Sequence, residues 1–290
     1  MSRPRSSPAA SKRKKGKPDR FEALVDSFVA TSKPAPEPIL AEVHAAIDNL
    51  GTLFRIDKSL ADALKDELGI RLLAAESPAL FVYCPRRQPQ RLILLNYLKR
   101  DGLCRVDPAA MHEECAHALR SMFHPIENVM IQEFFGALGP ILALDKRLVS
   151  SGPMLDVANT IYEMRHGGGN FVDIPDALAN MLRKSLPPNI LAKTDAGGGN
   201  EAVADGFLEN AFTHIGPMLA AESMADTGYL AELMNRYTLL SMPPKEMAAI
   251  LNEYGQKCAL DPAWKEKFKD FRKVFGYYLK PGKAPIEAPP

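Results

Sequence analysis

Apolar residues recur at helical spacing along most of the chain. Leu24 and Phe28 follow Phe21 at the i+3 and i+7 positions, which share one face of a helix. The same periodicity predicts further helices over residues 38–50, 58–68, 107–123, 129–138, 141–149, 154–165, 175–184, 201–215, 229–240, 244–258 and 262–278. An amphipathic helix is stable when another element covers its apolar face. The pattern therefore predicts a mainly α fold with a multi-helix, bundle-like body.

Residues 70–106 depart from this periodicity. The apolar run 79–83 lies between two prolines and favours a strand. Residues 91–98 fit either a strand or a helix, and the turn signal Asp101-Gly102 precedes a candidate strand at 103–106. We therefore expect a small β hairpin or sheet near residues 70–106. Gly69 fits the C-cap of the helix that precedes this region.

Composition divides the chain into four parts. Residues 1–20 consist mostly of Ser, Pro, Ala, Lys and Arg, and we expect a disordered basic tail there. Residues 21–150 form a predicted N-terminal helical subdomain that contains the β element, and residues 151–280 form a C-terminal helical subdomain. Residues 281–290 are a Pro-rich tail, also predicted to be disordered.

Charge is distributed unevenly. The formal net charge is +1, but residues 1–20 hold eight basic residues and one acidic residue, a net of +7. The remainder holds 28 basic and 34 acidic residues, a net of −6. The basic character therefore belongs mainly to the tail.

Cysteine use and hydropathy favour a cytoplasmic protein. The four cysteines lack CxxC spacing, which fits buried thiols in a reducing compartment. We see no secretory signal at the N-terminus, and no apolar run approaches the roughly 18–20 residues of a membrane span. The basic run would permit nuclear import in a eukaryote, or in a eukaryotic host into which the protein is delivered.

The basic residues suggest polyanion binding. A cationic tail binds nucleic acid by neutralising phosphates and releasing counterions, without reading sequence. The C-terminal helix at 262–278 combines an aromatic stripe with flanking cations, a mixture that can bind single strands. The simpler alternatives are a solubilising tail and a core-facing aromatic stripe. The candidate contact residues are Arg3, Arg5, Lys12, Arg13, Lys14, Lys15, Lys17, Arg20, Lys265, Lys269, Arg272 and Lys273.

The segment His112-Glu-Glu-Cys-Ala-His117 carries the only enzymatic motif we consider. It resembles the zinc-binding HExxH motif but is one residue too long. Histidines five residues apart are separated by about 140° around a helix, so they point to different sides. Glu113 and His117 do share a face, as do His117 and His124. The metal candidates are therefore His112, Glu113, His117 and His124, with Cys104 as an alternative ligand, and the competing interpretation is ordinary helix residues.

Three hypotheses follow. The leading one is a non-enzymatic binding or adaptor protein, whose body contacts a protein partner and whose tail contacts nucleic acid or another polyanion. The second is a metal-dependent enzyme that uses the helix from His112 to His124. The third is a self-assembling helical scaffold, a homo-oligomer. We predict no cofactor and assign no catalytic residue.

Overall fold

A computed structural model describes residues 20–73, 79–100, 103–127, 129–145, 174–186, 199–213 and 239–260, together with residues 161, 191, 220 and 234. The protein is mostly helical and contains a small four-stranded sheet, which confirms a mainly α fold with a β element. The helices are α1 Arg20–Thr31, α2 Glu37–Leu53, α3 Lys58–Glu67, α4 Pro108–Ser121, α5 Val129–Leu144, α6 Asp176–Ser185, α7 Gly199–Thr213 and α8 Pro244–Leu260. A 3-10 turn spans Leu239–Ser241.

All strands but the first lie within or next to residues 70–106, where the sequence predicts a β element, whereas the first lies in a segment without a predicted strand. They are β1 Lys33–Pro34, β2 Leu68–Leu73, β3 Leu80–Tyr83, β4 Arg91–Asn96, β5 Leu98–Arg100 and β6 Leu103–Arg105. The main sheet has the order β1-β2-β4-β3, in which β2 and β4 are parallel while β1 and β3 pair antiparallel with their neighbours. Strands β5 and β6 form a separate antiparallel pair.

Helices cover both faces of the main sheet. Alternate residues of a strand point to opposite faces. In β4, Ile93 and Leu95 join the main core, whereas Leu92 and Leu94 join a smaller cluster with Val25 of α1. Because β4 is buried on both faces, it appears in the sequence as a continuous apolar run. The spacing of apolar residues in such a run does not distinguish a strand from a helix.

The main core lies between the sheet and the helix pair α4 and α5. Fully buried residues from both helices fill it, among them Leu119, Ile131, Phe134 and Leu138. Asp107 accepts a hydrogen bond from the Ala109 N–H at 3.0 Å and caps the start of α4, as its position before a proline predicts. This cap fixes where α4 begins and therefore which side chains α4 presents to α5.

A buried ion pair joins the end of α4 to a distant turn. Arg120, which is 1% exposed, binds both carboxylate oxygens of Glu127 at 2.7 Å. The same guanidinium donates to the backbone carbonyls of Leu239, Leu240 and Met242 at 2.7–3.1 Å. The acceptors satisfy a charge that burial would otherwise strongly disfavour.

Three local predictions were wrong. Gly69 is not a helix C-cap but lies inside β2, where a Cβ would come within 2.4 Å of Pro89 Cγ, so close strand packing requires glycine there. Residues 129–138 and 141–149 are not separate helices, because α5 continues through Pro140 to Leu144. Buried apolar positions continue on both sides of that proline, and their packing outweighs its local preference. Helix α2 was predicted to end at residue 50 but continues through Gly51 to Leu53.

Several predicted elements lie outside the described residues. These include the tails at 1–19 and 281–290, most of the predicted helices at 154–165 and 229–240, and the aromatic helix at 262–278. The division into two subdomains therefore stays a prediction. Within the described residues, no helix combines the length and apolar character needed to cross a membrane.

Candidate metal centre

Three potential metal ligands converge between α4 and α5. Glu113 and His117 lie one helical turn apart on α4, and Glu133 projects from α5. One ligand atom from each residue lies within 4.8 Å of the other two, and all three side chains are partly buried. The cluster therefore combines one imidazole with two carboxyl groups.

A glycine allows the His117 ring to approach α5. A Cβ at Gly136 would lie 2.3 Å from His117 Nε2 and 2.5 Å from Cε1, closer than real Cβ contacts. Gly136 follows Glu133 by three residues, so it shares a helix face with that carboxylate. The absence of a side chain at residue 136 thus places the imidazole beside Glu133.

An aromatic ring from the sheet also contacts His117. The Phe81 ring of β3 stacks on the imidazole with a centroid distance of 6.5 Å and an interplanar angle of 14°. Among the described residues, no group hydrogen-bonds either ring nitrogen of His117. The ring is therefore held by packing, and its nitrogens remain available as ligands.

Burial disfavours the charged forms of these side chains. Burial, together with the Asp107 carboxylate, raises the pKa of Glu113 to about 7. Burial and the Glu113 carboxylate raise the pKa of Glu133 to about 8. Burial also lowers the pKa of His117 to about 4, so its imidazole is neutral at physiological pH. Two partly protonated carboxyl groups and one neutral imidazole therefore meet where a cation would stabilise both carboxylates.

A fourth titratable residue borders the cluster. Glu114 is 5% exposed. Burial raises its pKa well above the ordinary value, and the carboxylates of Glu113 and Glu133 raise it further. A hydrogen bond from the backbone N–H of Phe81 acts in the opposite direction. Glu114 therefore belongs to the same electrostatic cluster.

The ligand types suit a transition-metal ion. Nitrogen and oxygen ligands bind Zn²⁺ at about 2.0–2.2 Å in a tetrahedral arrangement, so two ligand atoms on one ion are separated by about 3.4 Å. The three ligand atoms lie within 4.8 Å of one another, so metal binding would draw them closer together. The mixed imidazole and carboxylate set suits zinc, manganese or iron rather than a soft copper(I) ion.

The structure places the other sequence candidates elsewhere. His112 donates from Nδ1 to the Pro108 carbonyl at 2.7 Å, within its own helix. His124 donates from Nε2 to the Ser241 carbonyl at 3.1 Å. The side chain of Cys104 lies outside the described residues. Of the predicted metal candidates, the structure brings together Glu113 and His117.

Sequence reasoning missed Glu133. It is the only charged residue of α5, a helix that is otherwise almost entirely apolar. A lone acidic residue in a buried helix is a signal of function, since buried charges are normally paired or bound to metal. Its proximity to His117 could not be predicted, because it depends on how two helices pack.

The structure does not test the predicted polyanion-binding residues. Arg20 is the first residue of α1, and the other eleven lie outside the described residues. Polyanion binding by the tail and by the C-terminal helix therefore stays a prediction.

Cys84 and Cys115 are buried and form no disulfide bond, as the sparse cysteine spacing predicts.

Comparison with known proteins adds no relative from which a function could be inferred: no family model, no curated protein and no solved structure matches this chain.

Proposed function

We propose that this protein is a metal-dependent enzyme whose divalent ion is bound by Glu113, His117 and Glu133. The observation that supports the proposal is the convergence of one imidazole and two carboxyl groups from two helices within 4.8 Å. Buried carboxyl groups are normally paired or metal-bound, and the basic residues described near the core bind other partners, such as Glu127 for Arg120.

A three-ligand centre suits catalysis better than a purely structural role. Structural zinc is usually held by four protein ligands, whereas catalytic zinc has three and keeps a position for water or substrate. The three side chains are partly rather than fully buried. An ion bound there would lower the pKa of its water and favour hydrolytic chemistry.

The state of the ligands also favours binding of a cation. A neutral imidazole is the form that coordinates metal, and His117 is held in that form by burial. Burial raises the pKa of both carboxyl groups, and the carboxylates of Asp107 and Glu113 add to the pKa of Glu113 and Glu133 respectively. An ion bound between Glu113 and Glu133 would offset the repulsion between their charged forms. Metal binding should therefore release protons and become tighter as the pH rises.

Metal titration of the full chain tests the proposal. We would remove metal by chelation, titrate with Zn²⁺, Mn²⁺ and Co²⁺ by calorimetry, and follow Co²⁺ absorption. We expect one ion per chain, and we expect binding to be lost in His117→Ala and Glu133→Gln. His124→Ala is the matched control, because His124 contacts Ser241 rather than the cluster.

Hydrolysis of chromogenic phosphate and carboxylate esters by the metal-loaded protein then tests the enzymatic part. Absence of binding in the unaltered chain would overturn the metal centre. Equal binding by His117→Ala and the parent would place the ion elsewhere.

The adaptor hypothesis is a second and independent proposal. It is favoured by the separation of a +7 tail from a −6 remainder, which suits a polyanion-binding arm on an acidic body. It does not compete with a metal centre, since the tail and the cluster are different parts of the chain.

A further inference from the structure

We propose that two copies of this chain form a dimer by exchanging the segment of residues 20–35, so that helix α1 of each copy covers the main sheet of the other. We call this segment the α1 arm; it comprises α1, Ser32, β1 and Ala35. The proposal is independent of the metal centre, because α1 packs on the face of the sheet opposite to the main core.

Apolar contact is the first interaction that holds the arm. Val25 of α1 is 1% exposed and packs in the smaller cluster together with Leu92 and Leu94 of β4. Within the described residues, α1 is the only helix that contributes to this cluster. Departure of α1 would therefore expose apolar side chains of the sheet to water, unless another copy of the same helix takes its place.

Two ion pairs orient α1 on this face. Glu22 and Asp26 lie one helical turn apart and share a face of α1. Glu22 pairs with Arg86 at 3.6 Å, and Asp26 pairs with Arg87. Both arginines lie in the turn that follows β3, so a basic site beside the sheet matches a helix with two carboxylates at this spacing.

Arg71 of β2 binds the end of α1. Its Nη2 donates to the carbonyls of Val29 and Ser32 at 3.2 and 2.9 Å, and its Nε donates to Ser32 Oγ at 2.7 Å. A basic side chain at a helix C-terminus satisfies carbonyls that lack a partner within the helix. Strand β1 then pairs with β2 at the edge of the sheet, so the arm adds a strand as well as a helix.

The connection between the arm and the body is short and extended. Pro34 and Pro36 favour extended conformations for the residues before them, and Pro36 itself has φ −72° and ψ 158° before α2 begins. The partners of α1 named above lie at residues 71–94, a separate stretch of the chain. The same contacts therefore form whether the arm and the sheet belong to one copy or to two. Exchange of an identical element is a low-cost route to a dimer, and concentration decides between the two forms.

Charge reversal in full-length chains tests the exchange. One variant carries Arg86→Glu and Arg87→Glu, and the other carries Glu22→Lys and Asp26→Lys. In either variant alone, like charges oppose the arm and the sheet in both the closed and the exchanged form. In a mixture, the acidic arm of the first variant meets the unaltered arginines of the second, and the basic arm of the second meets the reversed charges of the first. The heterodimer alone restores all four ion pairs.

A chain that carries all four substitutions is the matched control, because its reversed arm fits its own reversed sheet. The replaced side chains are exposed or only partly buried, so we expect each variant to fold, and circular dichroism checks this. Samples at equal total concentration are incubated in subdenaturing urea, which lets the arms detach and pair again, and are then returned to buffer. Native mass spectrometry with tags of different mass distinguishes heterodimers from homodimers.

We expect the mixture to contain at least about tenfold more dimer than either variant alone. The fourfold variant should match the parent, and the dimer fraction of both should rise with the concentration during incubation. A mixture without heterodimer, or with no more dimer than the separate variants, would overturn the exchange. A parent that stays monomeric at every concentration would overturn it independently of the charge variants.

Discussion

Replacement of Gly136 by alanine tests whether α5 and the His117 ring approach as closely as the structure shows. The added Cβ would lie 2.3 Å from His117 Nε2, whereas nonbonded heavy atoms settle about 3.5–4.0 Å apart. The Phe81 ring lies on one side of the imidazole and limits the directions in which it can move away. Overpacking of this kind costs about 1–3 kcal/mol, and the higher helix propensity of alanine offsets up to about 1 kcal/mol. We therefore expect Gly136→Ala to lower the free energy of unfolding by roughly 1–2 kcal/mol.

Two other glycine variants, measured by urea denaturation, provide references for the free energy of unfolding that Gly136→Ala is expected to lose. Gly51→Ala is the matched control. Gly51 lies in helix α2, and a Cβ there would meet the Cβ of Ala61 at 3.6 Å, an ordinary van der Waals distance. It should be neutral or stabilising by about 0.5–1 kcal/mol. Gly139→Ala would place a Cβ 2.4 Å from the His112 carbonyl oxygen, a backbone atom that cannot rotate away. It should therefore destabilise the protein more than Gly136→Ala does.

A double-mutant cycle with His117→Ala isolates the contact itself. Removal of the imidazole frees the space that the Cβ at residue 136 needs, so Gly136→Ala should no longer destabilise in that background. The coupling free energy should be about 1–3 kcal/mol. If Gly136→Ala proves as harmless as Gly51→Ala, or costs the same in both backgrounds, the packing described between α4 and α5 is wrong.

Three further predictions concern other parts of the chain. Arg120→Met should lower the free energy of unfolding in urea by about 3–5 kcal/mol, because Glu127 becomes a buried carboxylate without its partner; a loss below about 1 kcal/mol would be typical of an exposed pair and would contradict the burial. In the metal-free protein the pKa of Glu133 is raised from 4.5 to about 8, so the stabilisation due to its bound proton is complete below pH 4.5 and is lost as the pH rises through about 8. Thermal midpoints of Glu133→Gln, which stays neutral, should therefore match the parent at pH 4.5 and exceed it at pH 8, and identical midpoints at both values would refute the raised pKa. Fluorescence anisotropy with labelled DNA and RNA should show binding by the full chain that weakens steeply with salt and disappears when the chain starts at Phe21; failure of both forms to bind at low salt would refute the polyanion hypothesis for the tail.

Features determined by local sequence were predictable. The helical periodicity near Phe21 corresponds to α1, and the dipeptide Asp107-Pro108 marks the start of α4. The apolar run at 79–83 corresponds to β3. In each case, a short stretch of chain carries both the hydrophobic spacing and the residues that begin or end the element.

Features determined by tertiary contact were not predictable. Gly69 has the composition of a helix end, but its role is close approach to Pro89, which is distant along the chain. Pro140 favours a helix break by its local chemistry, yet the buried face of α5 continues through it. For the metal centre, helical spacing pairs Glu113 with His117, but the third ligand comes from another helix and requires knowledge of how α4 packs on α5.

The attachment of Arg120 to the turn at Leu239–Ser241 has a consequence for cooperativity. Detaching this turn and the adjoining Met242 would remove all three carbonyl acceptors from Nη1 of a guanidinium that stays in the core beside Glu127, and a buried donor group without an acceptor is unfavourable. The turn therefore opens only together with the end of α4, although the two are 119 residues apart along the chain. Helix α8 follows directly after the turn, so its first residues are included in the same unfolding unit rather than fraying as a separate end.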